Sequence, residues 1–273
     1  MQSSQDMANR ELKELLKRVR KIEIKARGLS NQLFSGQYHA AFKGLGMSFS
    51  EVRAYQFGDD VRFIDWNVTA RLNEPHVKVF EEERELSVVF LLDLSSSMRF
   101  GASDDQFRER MAEILCVLSF AAVQNNDKVG AIFFSGDQRS FIPPAKGKGH
   151  AMRIVRDVLA APLPEGEATN LSEGLAFLNR ALRKKATVFV LSDFLDTGFE
   201  LALRLANQKH DIIALQLEDL SLSQLPKVGL LKIKDPETGK TQWLNTKSKR
   251  TQREWGRHYA SHQKELIRSC KAA

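Results

Sequence analysis

Oxygen-bearing side chains that follow an apolar strand are the residues of this chain best suited to chemistry. Asp93, Ser95 and Ser97 come directly after the apolar segment VVFLL in the sequence VVFLLDLSSSM. Because open α/β sheets bind ligands beyond the carboxyl ends of their strands, this loop is expected to present a carboxylate and two hydroxyls to a crevice. Such oxygen donors suit a hard cation such as Mg²⁺. Taken alone, the same residues also fit the capping of a helix N-terminus.

Two further loops carry the same kind of side chain. Thr169 lies in the sequence ATNL, just before a predicted helix that begins near Leu171, and Asp193 lies in LSDF, directly after an apolar strand. Capping is again the simpler role for each residue by itself. The carboxyl ends of parallel strands meet at one edge of a sheet, so the three loops are expected to converge. We therefore predict a site for Mg²⁺, with Mn²⁺ or Ca²⁺ as substitutes, made by Asp93, Ser95, Ser97, Thr169 and Asp193.

The elements that would hold these loops alternate regularly. Apolar strands are predicted at residues 86–92, 129–134, 186–191, 211–217 and 228–234, and helices at 105–124, 150–161, 171–185 and 199–209. Continuous apolar strands that alternate with helices predict a doubly wound α/β fold, with a mostly parallel sheet and helices on both faces. A strand pair is also expected around 77–92, and the turn sequence DPETGK predicts a hairpin from 228–234 into 241–244.

Charge separates the ends of the chain from its middle. The 273 residues include 41 Lys and Arg against 34 Asp and Glu, and the positive excess lies in residues 1–30 and 227–273. This distribution argues against the whole protein being a nucleic-acid binder. We predict four regions: an amphipathic helix at 1–27, an extension with short strands at 28–85, an α/β domain at 86–246 and a basic helix at 247–273, docked by Trp255, Tyr259, Leu266 and Ile267.

The composition also predicts a compartment. No apolar stretch approaches the roughly 20 residues of a membrane-spanning helix, and the polar N-terminus lacks the apolar core of a signal peptide. The two cysteines, Cys116 and Cys270, cannot form a disulfide framework, and Cys116 lies in an apolar helix where a small buried side chain is expected. We predict a cytoplasmic protein without a membrane span.

The residues of the predicted metal site resemble the metal-ion-dependent adhesion site of von Willebrand factor A (vWA) domains. That site uses Asp-x-Ser-x-Ser, a Thr and an Asp from three loops, which correspond here to Asp93, Ser95, Ser97, Thr169 and Asp193. The resemblance implies a vWA-like, Rossmann-like α/β domain in which Ser95 and Ser97 bind Mg²⁺ directly. It also implies that Thr169 binds directly or through water and that both aspartates bind mainly through water. An acidic side chain of a partner protein would fill the open coordination position.

The segment before the first apolar strand of this domain has a second family resemblance. Residues 44–85 include the sequence GDDVRFIDW and, further on, an Ala-Arg pair and an acidic EEER. These motifs resemble the domain-of-unknown-function 58 family, bacterial proteins usually encoded beside MoxR-type AAA+ ATPases, and the resemblance runs from Arg27 to at least Leu217. It implies a MoxR-type ATPase as the partner. Many relatives carry N-terminal membrane helices, which are not expected in this chain. The signature residues are Asp59, Asp60, Arg62, Asp65, Trp66 and Arg71.

The charged signature residues allow two interpretations. They fit an internal network of ion pairs and turns, with Gly58, Asp59 and Asp60 as a loop and Trp66 anchoring the segment in a small core. They also fit a binding surface beside the metal. We favour the network, because charges this dense can pair with one another.

Sequence motifs for catalysis are sparse. Aspartyl-phosphate chemistry would need a second carboxylate two residues after Asp93, where this chain has Ser95. The phosphate-binding loop G-x-x-x-x-G-K-[ST], the nucleophile elbow G-x-S-x-G and the zinc motif H-E-x-x-H do not occur in the sequence. His258 and His262 share a helix face but have no third ligand, so both are expected to face solvent.

The prediction is therefore a non-catalytic, Mg²⁺-dependent protein-interaction module that acts as an adaptor for a MoxR-type ATPase in protein assembly, maturation or stress response. Two alternatives stay open. One is a metal-dependent phosphoryl-transfer enzyme. The other is a nucleic-acid-binding protein that uses Trp255, Tyr259 and the cations of the basic C-terminal helix. An acidic protein surface explains that charge equally well, so nucleic acid is the less favoured partner.

Overall fold

The structure is a computed structural model that describes residues 15–26, 48–81, 86–96, 105–136, 138–161, 169–218, 225–234 and 241–273. The chain forms two compact units, one at Leu33–Leu86 and a larger one made of Met1–Gln32 and Ser87–Ala273. The elements in chain order are α1 (residues 15–26), β1 (Ser48–Ala54), α2 (Trp66–Leu72), β2 (His76–Glu81), β3 (Ser87–Asp93), α3 (Asp105–Gln124), β4 (Lys128–Ser135), β5 (Gln138–Ala145), α4 (Lys148–Ala160), α5 (Leu171–Ala181), β6 (Thr187–Ser192), α6 (Glu200–Lys209), β7 (Asp211–Gln216), β8 (Leu230–Lys234), β9 (Thr241–Asn245) and α7 (Lys249–Ala272). Of the predicted extension at 28–85, the structure describes residues 48–81.

The larger unit is built on a five-stranded sheet in the order β5-β4-β3-β6-β7. β3 pairs in parallel with β4 on one side and with β6 on the other, and β6 pairs in parallel with β7. β5 runs antiparallel to β4 at one edge of the sheet. The mixed α/β fold with a mostly parallel central sheet, predicted from the alternation of apolar strands and helices, is confirmed.

Both faces of the central strands are buried, which explains their continuously apolar sequence. Side chains along a strand point alternately to the two faces of the sheet. Val89 and Leu91 of β3 share a core with residues of α5 and α6 and with Leu266 of α7. The intervening Phe90 is equally buried and stacks on Phe189 of β6, with ring centroids 5.6 Å apart. On that opposite face α3 and α4 pack together beside β3 and β4.

Two strands of the larger unit differ from the sequence prediction. β5 is not predicted, because the pair Pro143-Pro144 is unusual in a strand; an edge position tolerates proline, since one side of an edge strand makes no ladder hydrogen bonds. The hairpin predicted from 228–234 into 241–244 is confirmed, since β8 pairs with β9, but the two strands form a separate antiparallel sheet and β8 is not a fifth strand of the main sheet. An apolar strand pattern does not specify which strand becomes its partner.

α1 is tied to the larger unit by buried apolar side chains and ion pairs. Ile22 and Ala26 of this helix are buried. The ion pairs join Arg18 to Glu109 at 3.7 Å, Lys25 to Glu113 at 2.8 Å and Glu23 to Lys148 at 2.6 Å. These partners belong to α3 and α4, so the first described helix of the chain is docked on the α/β domain.

The C-terminal helix α7 lies over the opposite face of the sheet. The side chain of Ser248 caps it by accepting a hydrogen bond from the backbone of Thr251. Of the residues predicted to dock this helix, Leu266 is buried, whereas Ile267 is 52% exposed and the prediction is wrong for that residue. No helix among the described residues combines the length and apolarity that crossing a membrane requires.

The smaller unit contains a two-stranded antiparallel sheet. β1 pairs with β2, from Ser48 opposite Glu81 to Ala54 opposite His76, and α2 lies between the two strands in sequence. The two strands predicted around 77–92 are present as β2 and β3, but they do not pair with each other, because β2 pairs with β1 and β3 belongs to the large sheet. β3 is apolar on both faces and needs cover on both sides, which a hairpin with β2 does not supply.

Candidate metal centre

The carboxyl ends of β3 and β6 lie side by side at the position where the chain order of the sheet reverses. From β3 the chain proceeds to β4 on one side, and it later adds β6 on the other side of β3. Such a switch point leaves a crevice beyond the strand ends. Leu92 lies opposite Leu191 in the parallel register, so Asp93 and Ser192 are the next residues of the two strands. The fold therefore brings the loops that carry Asp93 and Asp193 to one edge.

Asp93 is fully buried and both of its carboxylate oxygens accept hydrogen bonds. Oδ1 accepts from the backbone N–H of Ser95 at 2.9 Å, which forms a tight turn after the strand. Oδ2 accepts from the hydroxyl of Ser192 at 2.6 Å. The carboxylate is thus fixed between the loops that follow β3 and β6.

Ser192 is a residue of the candidate site that the sequence does not single out. Its hydroxyl donates to Asp93 and accepts a hydrogen bond from the backbone N–H of Phe194 at 3.0 Å. One side chain therefore joins the two strand ends and shapes the turn that presents Asp193. The signal available in the sequence is a hydroxyl immediately before an aspartate at a strand end, which is also what a simple turn requires.

Ser95, which is predicted to bind the metal directly, contacts Thr169, which is predicted to bind it directly or through water. The Thr169 hydroxyl donates to the Ser95 hydroxyl at 2.7 Å, and both side chains are buried. Adjacent ligands of an octahedral Mg²⁺ with ordinary bond lengths lie about 2.9 Å apart, so the two oxygens have the spacing that a shared cation needs. The helix-cap alternative for Thr169 is wrong, since the cap of α5 is Asn170, which accepts from Glu173 N–H at 3.0 Å.

Asp193 contributes a second carboxylate to the same place. It is 8% exposed, and its Oδ1 accepts a hydrogen bond from the backbone N–H of Leu195 at 3.0 Å. Burial, and then the charge of nearby Asp193, raise the pKa of Asp93 to about 7, while the hydrogen bonds from Ser192 and Ser95 act in the opposite direction. The charge that acts on Asp93 is therefore another negative charge. Ser97, the remaining predicted ligand, lies outside the described residues.

The loop after β6 is held by two other elements. Asp196 accepts a hydrogen bond from Leu171 N–H at 2.8 Å, and the hydroxyl of Ser172 donates to the carbonyl of Gly198 at 3.1 Å. These bonds attach the loop to the first turn of α5, directly after Thr169. Two of the three predicted ligand loops are thus tied to each other by backbone and side-chain contacts.

α7 makes the second attachment through His262. The ring Nε2–H of His262 donates to the carbonyl of Phe194 at 2.8 Å. Phe194 has a φ of 56°, a left-handed conformation that is uncommon for a residue with a side chain and needs support from its surroundings. The prediction that both His258 and His262 face solvent is wrong for His262, which is half-buried against this loop. Helix periodicity alone does not identify the loop that a helix face contacts.

The donor set fits a small, hard cation. Two buried carboxylates stand beside the hydroxyls of Ser95, Thr169 and Ser192, and these are the oxygen ligands that Mg²⁺ prefers. Among the described residues, no three or more His, Cys, Asp or Glu side chains are grouped as a metal cluster. A cation at this position would consequently depend on hydroxyl oxygens as much as on carboxylates.

The predicted family-signature residues lie in the smaller unit and pair locally. Asp59 accepts two hydrogen bonds from Arg53, at 2.7 and 2.8 Å, and Asp60 pairs with Arg62 at 2.6 Å. Asp65 caps α2 by accepting from two backbone N–H groups and lies 3.3 Å from Lys78. The ion-pair and turn network that the sequence favours is therefore present.

The remaining signature residues are on the surface of that unit. Trp66 is 70% exposed, so the prediction that it anchors a small core is wrong. Arg71, in the last turn of α2, is also exposed. α2 is only two turns long and its residues are half-buried or exposed, which leaves its tryptophan without cover.

Comparisons with known proteins identify relatives across most of the chain. An uncharacterized protein of Mycobacterium bovis is 28% identical over 223 residues, which cover 81% of this chain and 70% of the relative. An uncharacterized protein of Mycobacterium avium is 25% identical over 136 residues, 48% of this chain and 80% of the relative. The relatives are bacterial, as the second family resemblance implies.

Among solved structures, an aerotolerance-related membrane protein from Bacteroides fragilis matches with a TM-score of 0.43 at 14% identity. The match covers 63% of this chain and 87% of that one. That neighbour is described as a membrane protein, and the cytoplasmic location predicted from the sequence is not retained.

Residues 51–265 match the family described as "Protein of unknown function DUF58". The matched segment contains the signature residues of the smaller unit and all of the predicted metal ligands. Because it spans far more than half of the chain, the resemblance to this family is confirmed, and the protein belongs to the DUF58 family.

Proposed function

We propose that the larger unit is a non-catalytic, Mg²⁺-dependent protein-interaction module of the vWA type, and that it serves as an adaptor for a MoxR-type AAA+ ATPase in protein assembly, maturation or stress response. The observation that carries this proposal is the contact of 2.7 Å between Thr169 and Ser95, at the strand ends where Asp93 and Asp193 are also buried. Three loops far apart in sequence supply these four oxygen-bearing side chains.

In this proposal Ser95, Ser97 and Thr169 hold the cation, and Asp93 and Asp193 hold its water ligands. When bound, Mg²⁺ supplies a positive charge that offsets the two carboxylates and an open position for a carboxylate oxygen of the partner. Ser192 keeps Asp93 oriented by donating to its Oδ2 at 2.6 Å. Ligands that are already held in place bind with less loss of conformational entropy, which favours a site on rigid strand ends.

The environment of Asp93 supports a binding role over phosphoryl transfer. A nucleophilic carboxylate must reach its substrate, whereas Asp93 is 0% exposed and both of its oxygens are engaged by Ser95 and Ser192. The hydroxyls nearby donate to one another or to carboxylates and have no histidine base among their hydrogen-bond partners in the described residues. We therefore propose that this chain lacks an enzymatic activity of its own.

The proposed partner follows from the family. The family resemblance implies this partner, because DUF58 proteins are usually encoded beside MoxR-type ATPases. In this proposal the open metal position takes an acidic side chain of that ATPase. The basic residues near both ends of the chain favour an acidic partner surface as well.

The test is capture of partners from a bacterial lysate on the immobilised chain, once with Mg²⁺ and once with EDTA. The variants are Ser95→Ala, which removes a proposed ligand, and Ser140→Ala, an exposed serine on β5 that serves as the matched control. We expect wild type and Ser140→Ala to retain an AAA+ ATPase only with Mg²⁺, and Ser95→Ala to lose it. Equal recovery in EDTA, or by Ser95→Ala, would contradict the proposed site.

A further inference from the structure

The hairpin of β8 and β9 presents an apolar face to solvent. Lys232 lies directly opposite Trp243, and Leu230 lies opposite Asn245. Residues two apart in a strand, and residues directly opposite in a pair, share one face of the sheet, so Leu230, Lys232 and Trp243 lie on the same side. Leu230 is 70% exposed and Trp243 is 66% exposed, whereas Leu231 and Leu244 of the other face are half-buried. We call this side the ribbon face.

The chain segment that carries the ribbon face is strongly basic over its described residues. The described residues from 225 onwards include eleven Lys and Arg side chains but only two acidic ones, Glu254 and Glu265. The side chains of Lys227, Lys232, Lys247 and Lys249 are exposed. Lys227 precedes β8 and Lys247 follows β9, so both lysines lie at the end of the hairpin that carries Leu230.

The first turn of α7 is joined firmly to the hairpin. Thr246, which is fully buried, bonds through its hydroxyl to the backbone of Val228 and Gly229, at 3.2 and 3.0 Å for the N–H donors. Gln252 donates to the carbonyl of Thr246 at 2.8 Å. The hairpin and the start of α7 therefore form one basic module.

Two cations stand at the start of this helix against its own dipole. Lys249 and Arg250 occupy the first turn of α7, which has no acidic residue. A helix N-terminus favours negative charge, so basic residues there are unfavourable for the helix itself. Arg250 pairs with Glu254 at 2.8 Å, so the exposed Lys249 is the cation placed to act on an external anion.

The combination of side chains favours a lipid surface over a nucleic acid. Tryptophan, with an apolar body and a polar N–H, prefers the interface between water and membrane, and lysines beside it are attracted to anionic headgroups. A single-stranded nucleic acid would use the tryptophan for stacking but gains nothing from an exposed leucine beside it. Val228, just before β8, adds a second aliphatic side chain that is 63% exposed.

We propose that the ribbon face and the basic first turn of α7 bind the surface of an anionic membrane. Leu230 and Trp243 would enter the headgroup region, while Lys232 and Lys249 contact the lipid phosphates. The proposed interaction is peripheral and independent of the metal site, so it is tested in EDTA.

The experiment is co-sedimentation of the full chain with vesicles of phosphatidylcholine, either pure or with one quarter phosphatidylglycerol. We expect binding only to the anionic vesicles, and loss of binding in high salt because charge attraction is screened. Trp243→Ala should weaken binding by about tenfold, and Lys232→Glu by at least about fivefold. Trp66→Ala, which removes an equally exposed tryptophan from the smaller unit, and Lys184→Glu are the matched controls and should bind as wild type does.

Three outcomes would contradict the proposal, provided that the variants are folded. Thermal melts of all four variants establish that they are folded, so loss of binding by Trp243→Ala reports on the surface. Absence of binding by the wild-type chain, or equal binding by Trp243→Ala and wild type, contradicts the ribbon face as a lipid-binding surface. Binding to a single-stranded oligonucleotide without binding to anionic vesicles would assign the surface to nucleic acid instead.

Discussion

The aspartates of the two units are the same residue type in opposite electrostatic situations. In the smaller unit Asp59 and Asp60 are paired with arginines, which, together with backbone hydrogen bonds, lower the pKa of both carboxyls, that of Asp60 to about 2. In the larger unit Asp93 is buried and acted on by another carboxylate, which together raise its pKa to about 7. The first cluster is paired within the chain, whereas the charge that acts on Asp93 among the described residues is that of a second carboxylate.

This difference distinguishes the acidic cluster that we propose binds a cation from the cluster that is paired within the chain. Paired surface charges stabilise a local turn and need nothing further. Burying a carboxylate beside a second one costs free energy unless a cation compensates it. This free-energy cost therefore lies at the strand ends, where we propose that the cation binds. The signature loop, which carries Asp59 and Asp60, does not have it.

The largest expected effect is a pH dependence that separates the two clusters. Because the folded-state pKa of Asp93 is raised from 3.8 to about 7, its contribution to stability is complete below pH about 4 and is lost as the pH rises through 7. The free energy of unfolding of the metal-free chain should fall by up to about 4 kcal/mol over this window. Urea unfolding in EDTA at a series of pH values measures it, and a profile identical to that of Asp93→Asn contradicts the account.

The Asp93→Asn variant should also behave oppositely in the presence and absence of metal. At pH 8, removing the buried charge should raise the free energy of unfolding of the metal-free chain by about 1–3 kcal/mol. This figure allows for a weaker hydrogen bond from the Ser192 hydroxyl to an amide than to a carboxylate. The same variant should lose the stabilisation that Mg²⁺ gives to wild type. Thermal melts with EDTA and with excess Mg²⁺ measure both, and a variant that is stabilised by Mg²⁺ as strongly as wild type would show that Asp93 plays no part in binding.

A smaller effect is expected from the helix that supports the Asp193 loop. His262→Ala removes the hydrogen bond to the Phe194 carbonyl and should weaken Mg²⁺ affinity by about tenfold, the lower end of the losses that follow removal of outer contacts of metal sites. His262→Gln can still donate to that carbonyl and should recover most of the affinity. His258→Ala, at an exposed position one turn earlier, is the control. A loss of stability without any change in Mg²⁺ affinity would assign His262 a purely structural role.

The smallest effect is expected in the signature loop. Asp60→Asn breaks an exposed pair with Arg62, which is a kind of contact that contributes little in water. We expect a change in melting temperature too small to resolve and no change in the response to Mg²⁺. A clear loss of Mg²⁺ binding in this variant would remove the distinction between the two clusters.

Much of the candidate site could be predicted because a parallel sheet fixes where strand ends meet. The apolar sequences of β3 and β6 predict buried parallel strands, and Asp93 and Asp193 lie at their carboxyl ends. The fold class alone therefore predicts that the two aspartates lie close together. Thr169 required knowing that its loop faces the same edge. The roles of Ser192 and His262 could not be predicted, because each depends on which segment lies opposite it after packing.

The hydrophobic pattern alone does not specify strand partners. β5 carries two prolines and looks unlike a strand, yet an edge position next to β4 tolerates them. β8 has an apolar pattern that would suit the main sheet, and its pairing with β9 is predicted from the turn sequence DPETGK between them, not from that pattern. Patterns of hydrophobicity report which faces are buried and carry no information on the neighbour that buries them.

Calorimetric titration of MgCl₂ into the metal-free chain decides whether the strand-end oxygens bind Mg²⁺. We expect saturable binding of one ion by wild type and by Ser140→Ala, and affinity reduced by at least about tenfold in Ser95→Ala. No saturable binding by wild type, or equal affinity in wild type and Ser95→Ala, would contradict it.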